Sequence, residues 1–548
     1  MPQFRRFVWP FAILLVITLV LVATYPMISA TPANRPLSVA PGDQEIAWFH
    51  TATNTATWER FVAGAHYAAR IDPNLHVDDS RAFPEMTTAI PEVVLTNANS
   101  NERLRFRWYK QSGGVQMADW VKALAARNPA PLAIIGGGSS DRALELARIM
   151  ESQKEWHGTP PLLLFTTATA RHLEVELEGT QFHPFDLMSV YPGRSFRFCF
   201  NNRQMADAVV DFVWHRTELR PQGSQQALLG AIVDAISGNS WGAIAMLAAQ
   251  EDLPGEVYTL EWRDDPYSVD LAQEFRDVLV GEPRFEDEHR PHHEFELDEL
   301  NRPWFGHVQA RALLDIHSSV GTFIRPNSGE ATAISGLING SFVYPPISRD
   351  PFQRSLLILP TVPEPARRIL SGITGASPVL RRHLVAVSGD SISFNHVYRD
   401  GALIWNVRLV SVPLVFFAHQ NPVAWDSEDT KDTSNRSGLY PPNGTDDVLH
   451  FADVVSIVAD AAYGSPGLNG ERRLLTDSDQ MSAKMQNRTP KFFDEEGNRK
   501  GGSGEYIVYL RPHYGEGTEV PSAVIEVWTH DPNKGWQLVR DPLDVRYR

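Results

Sequence analysis

Short apolar runs alternate with amphipathic segments along the first third of the chain, and that alternation constrains the fold more than any other feature. "EIAWFHTA" (45–52), "PLAIIGGG" (131–138) and "PLLLFTTAT" (161–169) read as strands buried on both faces, and "LRFRWYKQ" (104–111) is also strand-like. Between them lie helical patterns. After a threonine-rich loop, Trp58, Phe61, Val62, Ala65 and Ala69 share one helix face, and "MADWVKALAARNP" and "SSDRALELARIMES" carry the same period. Strands of this kind separated by helices imply parallel pairing, with helices on both faces of a sheet.

The pattern changes at 189–216, "SVYPGRSFRFCFNNRQMADAVVDFVWHR", where an aromatic extended segment runs into a long helix. Phe196, Phe198 and Phe200 alternate at strand period, which marks core packing, and the segment is read as a crossing into a second lobe. That lobe repeats strand, loop and helix in "EVYTLEWRDDPYSVDLAQEFRDVLVG", "RSLLILPTVPEPARRILSGI" and "RRHLVAVSGDSISFNHVYRD", and "VPLVFFAHQNP" adds a strand. Segments 221–255, 281–303 and 426–446 read as surface insertions. With 548 residues the chain has room for two to four packed units of about 100–200 residues each.

The N-terminus places Arg5 and Arg6 before an apolar stretch over 7–23. That is an export signal, with cleavage near Ala30 and retention as a membrane anchor both open, and residues 31 onward are sent across the membrane. A formal net charge of −16 argues against a nucleic-acid partner, because duplex binding needs a positive patch. The single cysteine, Cys199, excludes an intramolecular disulfide and sits between aromatics as a small buried hydrophobe.

Ligands of an open parallel sheet bind beyond the carboxyl ends of the strands. The loops there are "HTATNTATW", "GGGSS", "FTTATA", "RDDPYS" and "SGDSISFN". Their small residues, hydroxyls and backbone N–H groups at helix starts favour an anionic group such as a carboxylate. "GGGSSD" lacks the P-loop lysine and carries Asp141 where a dinucleotide loop needs its third glycine, so neither nucleotide reading holds. Ser139 and Ser140 remain, as helix caps or as ligand contacts.

In order along the chain, "LAIIGGGSSDRALELARIM", "GTPPLLLFTTATARHL" and "YPGRSFRFCFNNRQMADAVVDFV" resemble the first lobe and crossover of type I periplasmic binding proteins, the family of leucine/isoleucine/valine binders and receptor ligand-binding regions. "LEWRDDPYSVDLAQEFRDVL" and "PKFFDEEGNRKGGSGEYIVY" resemble its second-lobe and closing elements, so the likeness spans roughly 45–510. The resemblance implies an α/β fold of two Rossmann-like lobes with parallel central sheets, joined by a three-strand hinge and here preceded by the N-terminal hydrophobic helix. It divides the chain into 45–195 (lobe 1), 196–412 (lobe 2 with insertions), 413–490 (return to lobe 1) and 491–548 (closing segment of lobe 2), after a leader at 1–30 and a linker at 31–44. Ser140 and Thr169, with Ser139 beside them, resemble carboxylate-binding positions. Tyr267 resembles the second-lobe aromatic and Glu364 an acid facing a ligand ammonium, while Asp390 lies in a loop that sits either at the cleft or in local turn bonds. Ser268 departs from the family's glycine, and Trp48, His50 and Trp58 imply a differently shaped pocket.

"SGDS" also resembles the first block of Gly-Asp-Ser hydrolases, with Asp447 and His450 at the spacing of their last block. The intervening Gly-x-Asn-Asp block is missing and Ser391 comes late, so Asp390, Ser391 and Asn395 read instead as a loop after a second-lobe strand. His289, His292, His293 and Glu294 are read as a solvated charged loop rather than metal ligands. The expectation is therefore an exported, non-enzymatic binding protein without cofactor or metal. It closes on an amino-acid-like ligand and works with an ABC permease or a sensor. The alternatives are a secreted hydrolase using Ser391 and a ligand-free interaction scaffold.

Overall fold

The computed structural model describes residues 35–112, 114–177, 181–221, 255–262, 265–280, 314–321, 334–335, 337–339, 354–376, 383–393, 412–424, 445–466, 470–488, 492–501, 504–513 and 522–545. The N-terminal leader, most of the three insertions, Asn395, and His289, His292, His293 and Glu294 lie outside them. Among the described residues no helix is long and apolar enough to cross a membrane.

Two α/β lobes account for the described chain. Lobe 1 contains β1 (Gln44–Thr51), α1 (Thr55–Ile71), β2 (Leu75–Arg81), β3 (Glu92–Asn97), β4 (Arg103–Gln111), α2 (Met117–Ala125), β5 (Ala133–Gly136), α3 (Ser140–Ser152), β6 (Leu162–Phe165), the hairpin β7 (His172–Leu177) and β8 (Gln181–Asp186), and β9 (Ser195–Arg197). Its seven-stranded sheet has the order β2-β3-β4-β1-β5-β6-β9. From β4 to β9 every neighbour is parallel, as the alternation predicts. β2 and β3 depart from it and run antiparallel. The connections around them are too short for the helical crossover of a dozen or more residues that a parallel pair needs.

Lobe 2 opens with α4 (Asn202–His215), β10 (Gly255–Trp262), α5 (Pro266–Val280), β11 (Leu314–Gly321), β12 (Ser355–Ile358), α6 (Pro363–Ala376), β13 (Leu384–Ser388) and β14 (Leu414–Ala418). The chain then returns to lobe 1 for α7 (Thr445–Ala462) and α8 (Ser478–Gln486), and finishes in lobe 2 with β15 (Tyr506–His513), β16 (Ser522–Asp531), β17 (Gly535–Leu538) and β18 (Leu543–Val545). The second sheet is ordered β11-β10-β12-β13-β14-β15-β16-β17, with β18 on β16. It is parallel through β14 and antiparallel beyond it. The return to lobe 1 therefore comes later than residue 413: β14 pairs with β13 and β15, and its residues Leu414–Ala418 are buried on both faces of the second sheet.

α7 lies against α1 in lobe 1, and Gly64 permits the approach. A Cβ there would stand 2.7 Å from Phe451 Cβ and 2.9 Å from the Val448 carbonyl oxygen. The strands of lobe 1 are also tied by buried charge. Arg107 reaches Glu92 at 2.5 Å and Glu45 at 2.6 Å, and Arg127 joins Glu45 at 2.8 Å. Arg107 and Arg127 also donate to the Leu37 carbonyl, so the middle of the expected linker is pinned to the sheet.

Removing one member of a buried ion network leaves the others desolvated without compensation, at a cost of about 3–5 kcal/mol. Arg107→Met is expected to lower stability by that amount in urea unfolding, with a joint Arg107→Met/Glu92→Gln variant recovering part of the loss.

Candidate functional site

A cleft of about 220 Å³ opens at the carboxyl ends of β1, β4 and β5, lined by His50, Thr51, Asn54, Gln111, Ser139 and Arg142 among others. Gly137, at φ +73°, turns the chain into α3 with no room for a side chain, since a Cβ would lie 2.6 Å from Ala143. That turn brings Ser139 and Arg142, at the start of α3, to the cleft, and a helix N-terminus favours negative charge. His50 Nδ1 accepts the Thr51 N–H at 2.9 Å, which leaves the ring proton on Nε2. Nε2 lies against Gly138, so the ring presents a donor to the cleft wall, and burial lowers the His50 pKa and keeps the ring neutral. Arg142 adds a guanidinium from the first turn of α3, bonded to Gln111 at 3.3 Å.

Only Ser139 of the expected ligand contacts lines this cleft. Ser140 is buried, and its hydroxyl accepts the Ala170 N–H at 3.2 Å. Thr169 is buried too, its carbonyl accepting from Asn202 N–H at 2.8 Å. Asn202 Nδ2 continues to the Tyr267 carbonyl at 3.5 Å. These expected residues thus form a closed contact between the lobes. Tyr267 turns into lobe 2, where its hydroxyl meets Asp390 at 3.1 Å, and Asp390 holds His419 Nε2 at 2.9 Å. Glu364 is exposed in the first turn of α6. Trp48 and Trp58 do not shape the cleft: they pack with Phe61 in the core, 5.1 Å apart at their ring centroids.

Arg142, Gln111 and Asn54 were not singled out from the sequence. Arg142 carries a signal that could have exposed it, three residues after Ser139 on the same helix start, whereas Gln111 reaches the cleft only through the pairing of β4 with β1.

The serine-hydrolase arrangement is not assembled. Ser391 Oγ donates to the Thr361 carbonyl at 2.5 Å and lies 3.4 Å from the Tyr267 hydroxyl. His450 Nε2 donates to the Thr166 carbonyl at 2.8 Å, and Asp447 pairs with Arg60 at 2.6 Å. Serine and histidine therefore point at different carbonyls, and Asp447 orients neither. Cys199 is fully buried and its thiol is pushed up to about 12 by desolvation, which makes it unreactive.

Lobe 2 also grips lobe 1 directly. Asp270 on α5 accepts the backbone N–H groups of Arg171 and His172, both at 2.9 Å, and the Asn202 side chain at 2.8 Å. Burial and the neighbouring Glu274 hold the Asp270 carboxyl above the usual aspartate range.

No protein-family model and no curated protein matches the chain. Solved structures are similar to it. The leucine-, isoleucine-, valine-, threonine- and alanine-binding protein of Brucella ovis, in a closed conformation, is 12% identical over 86% of this chain and 90% of its own, with a TM-score of 0.47. An ABC-transporter solute-binding protein of R. palustris, in complex with 4-hydroxybenzoate, is 9% identical over 87% and 94%, with a TM-score of 0.46. The leucine-binding protein LivK of Thermotoga maritima is 12% identical over 91% and 98%, with a TM-score of 0.42.

Burial holds His450 far below the usual 6.5, at about 3. The unfolded chain binds this proton below pH 6.5 and the folded chain does not, so stability falls as pH drops from 6.5 towards 3. Thermal unfolding across that window is expected to show a shallower loss for His450→Gln than for the parent.

Proposed function

We propose that the chain is an extracytoplasmic solute-binding protein that closes two lobes on a small polar ligand carrying a carboxylate, an amino acid or related acid. It would deliver that ligand to an ABC-type permease or report it to a sensor. The observation that carries this reading is the lobe 1 cleft. There, Ser139 at the start of α3, Arg142 in its first turn and His50 at the end of β1 border one small volume. A carboxylate is the common group that matches such a set.

Asp265, at the start of α5 in lobe 2, has its carboxyl raised by burial and then by the charge of Asp141 in lobe 1. Export of the chain, and its anchoring by residues 7–28 if they are retained, remain part of the proposal. Ser391 serves the loop after β13, with its hydroxyl engaged by Thr361, and no enzymatic role is assigned to it.

Thermal unfolding of the full-length chain against amino acids, aliphatic and aromatic carboxylates and sugars tests the reading. A matching carboxylate is expected to add about 2.7 kcal/mol at a hundredfold excess over its dissociation constant. Arg142→Met removes a charge-assisted contact worth about 1.5–3 kcal/mol, so affinity falls roughly tenfold to a hundredfold. Ser391→Ala leaves binding unchanged. A shift with sugars alone, or ester hydrolysis lost in Ser391→Ala, would sink it, and silence across the panel would leave an interaction scaffold.

A further inference from the structure

We propose that His172, Asp270 and Glu274 form a divalent transition-metal site, of the zinc class, that ties lobe 1 to lobe 2. The three side chains converge from different elements. His172 opens β7 in lobe 1, and Asp270 and Glu274 stand one turn apart on the same face of α5 in lobe 2. Their ligand atoms all lie within 4.8 Å of one another, and all three residues are buried.

The spacing suits ligands around an ion. His172 Nδ1 stands 3.6 Å from Glu274 Oε1 and 3.8 Å from Asp270 Oδ1. Two ligand atoms on a tetrahedral zinc with bonds of about 2.0–2.2 Å are separated by about 3.4 Å. Glu274 is 2% exposed, and its Oε1, the oxygen facing His172, has no hydrogen-bond partner. Its other oxygen faces Arg203 at 3.7 Å. Leaving a buried carboxylate oxygen unbonded is costly unless something satisfies it.

The remaining groups leave room for the ion. Asp270 accepts two backbone N–H groups and the Asn202 amide, which uses three of about four acceptor directions on its carboxylate. Asn202, fully buried beside it, has an Oδ1 without a hydrogen-bond partner, positioned to accept from a water in the fourth coordination place. One imidazole and two carboxylates are a ligand set that transition metals take in preference to magnesium. Because the donors come from both lobes, the metal would hold them together. The inference stands apart from the solute reading, whose cleft shares none of these residues.

Calorimetric titration of the chelator-treated full-length chain with zinc chloride is expected to show one saturable equivalent and a raised unfolding midpoint, with magnesium unable to compete. Glu274→Gln keeps the size of the side chain and removes its charge; it should weaken zinc at least tenfold while its metal-free circular dichroism matches the parent. Asp270→Asn is a second variant with the same expected loss, and Arg142→Met, in the cleft, should bind zinc unchanged. Absence of saturable binding overturns the proposal. So does zinc affinity that survives Glu274→Gln, which would place the ion elsewhere, as at His289, His292 and His293.

Discussion

The two lobes depend on a short run of aromatic residues that passes from one core to the other. Phe196 and Phe198 pack on Phe493 in lobe 1, with ring centroids 5.0 and 5.1 Å apart, whereas Phe200 packs on Phe417 and His419 in lobe 2. Burying both ends of so short a segment fixes where one lobe stops and the next begins. Arg499, from the last crossing, lies over the Phe200 ring at 4.0 Å and donates to the His419 carbonyl at 3.3 Å. All three crossings among the described residues thus meet around Phe200, and the desolvated guanidinium is held there by aromatic faces and carbonyls.

From that junction the polar contacts spread outward in both directions. His419 ties the crossing after β14 to Asp390, and Asp390 ties it to Tyr267 at the start of α5. On the other side, Gln420 reaches Asp453 on α7, and His450 of the same helix bonds the end of β6. Asp270 closes the circuit by accepting the backbone N–H groups of Arg171 and His172. These groups are buried or half-buried, and two of the contacts, Gln420 with Asp453 and Asp270 with the Arg171 and His172 N–H groups, depend on the relative position of the lobes. The lobe 1 cleft, by contrast, is built within one lobe and keeps its donors in any arrangement.

Much of the fold was legible because strand and helix differ in period and because parallel neighbours need helices between them. Each apolar run of 131–138 and 161–169 became a parallel strand, and the helix face of Trp58, Phe61 and Val62 became core. β2 was passed over, since "LHVDDSR" alternates weakly and faces solvent along much of its length; β3, "EVVLTN", is buried along nearly all of its length and its short apolar run was simply not read as a strand. The hairpin β7–β8 was missed for a related reason: "HLEVEL" carries charge at alternate positions and sits outside the main sheets. The strand β14 was assigned to the second lobe, but the boundary at 413 cut it off, because an apolar pentapeptide does not declare where the chain leaves a sheet.

The sequence alone determined the alternating architecture, the crossing at Phe196–Phe200, the glycine turn at Gly137 and the single buried thiol, all of which follow from local period, residue size and backbone freedom. It also marked Ser139 at the start of α3. Tertiary structure decided the rest, because its partners are distant in sequence. Arg107 meets Glu45 across 62 positions, and Ser391 was removed from nucleophile duty by a carbonyl 30 residues away. His172 and Glu274 become neighbours only when α5 of one lobe closes on β7 of the other. Pairings of this kind are set by strand order and lobe contact, which local pattern does not encode.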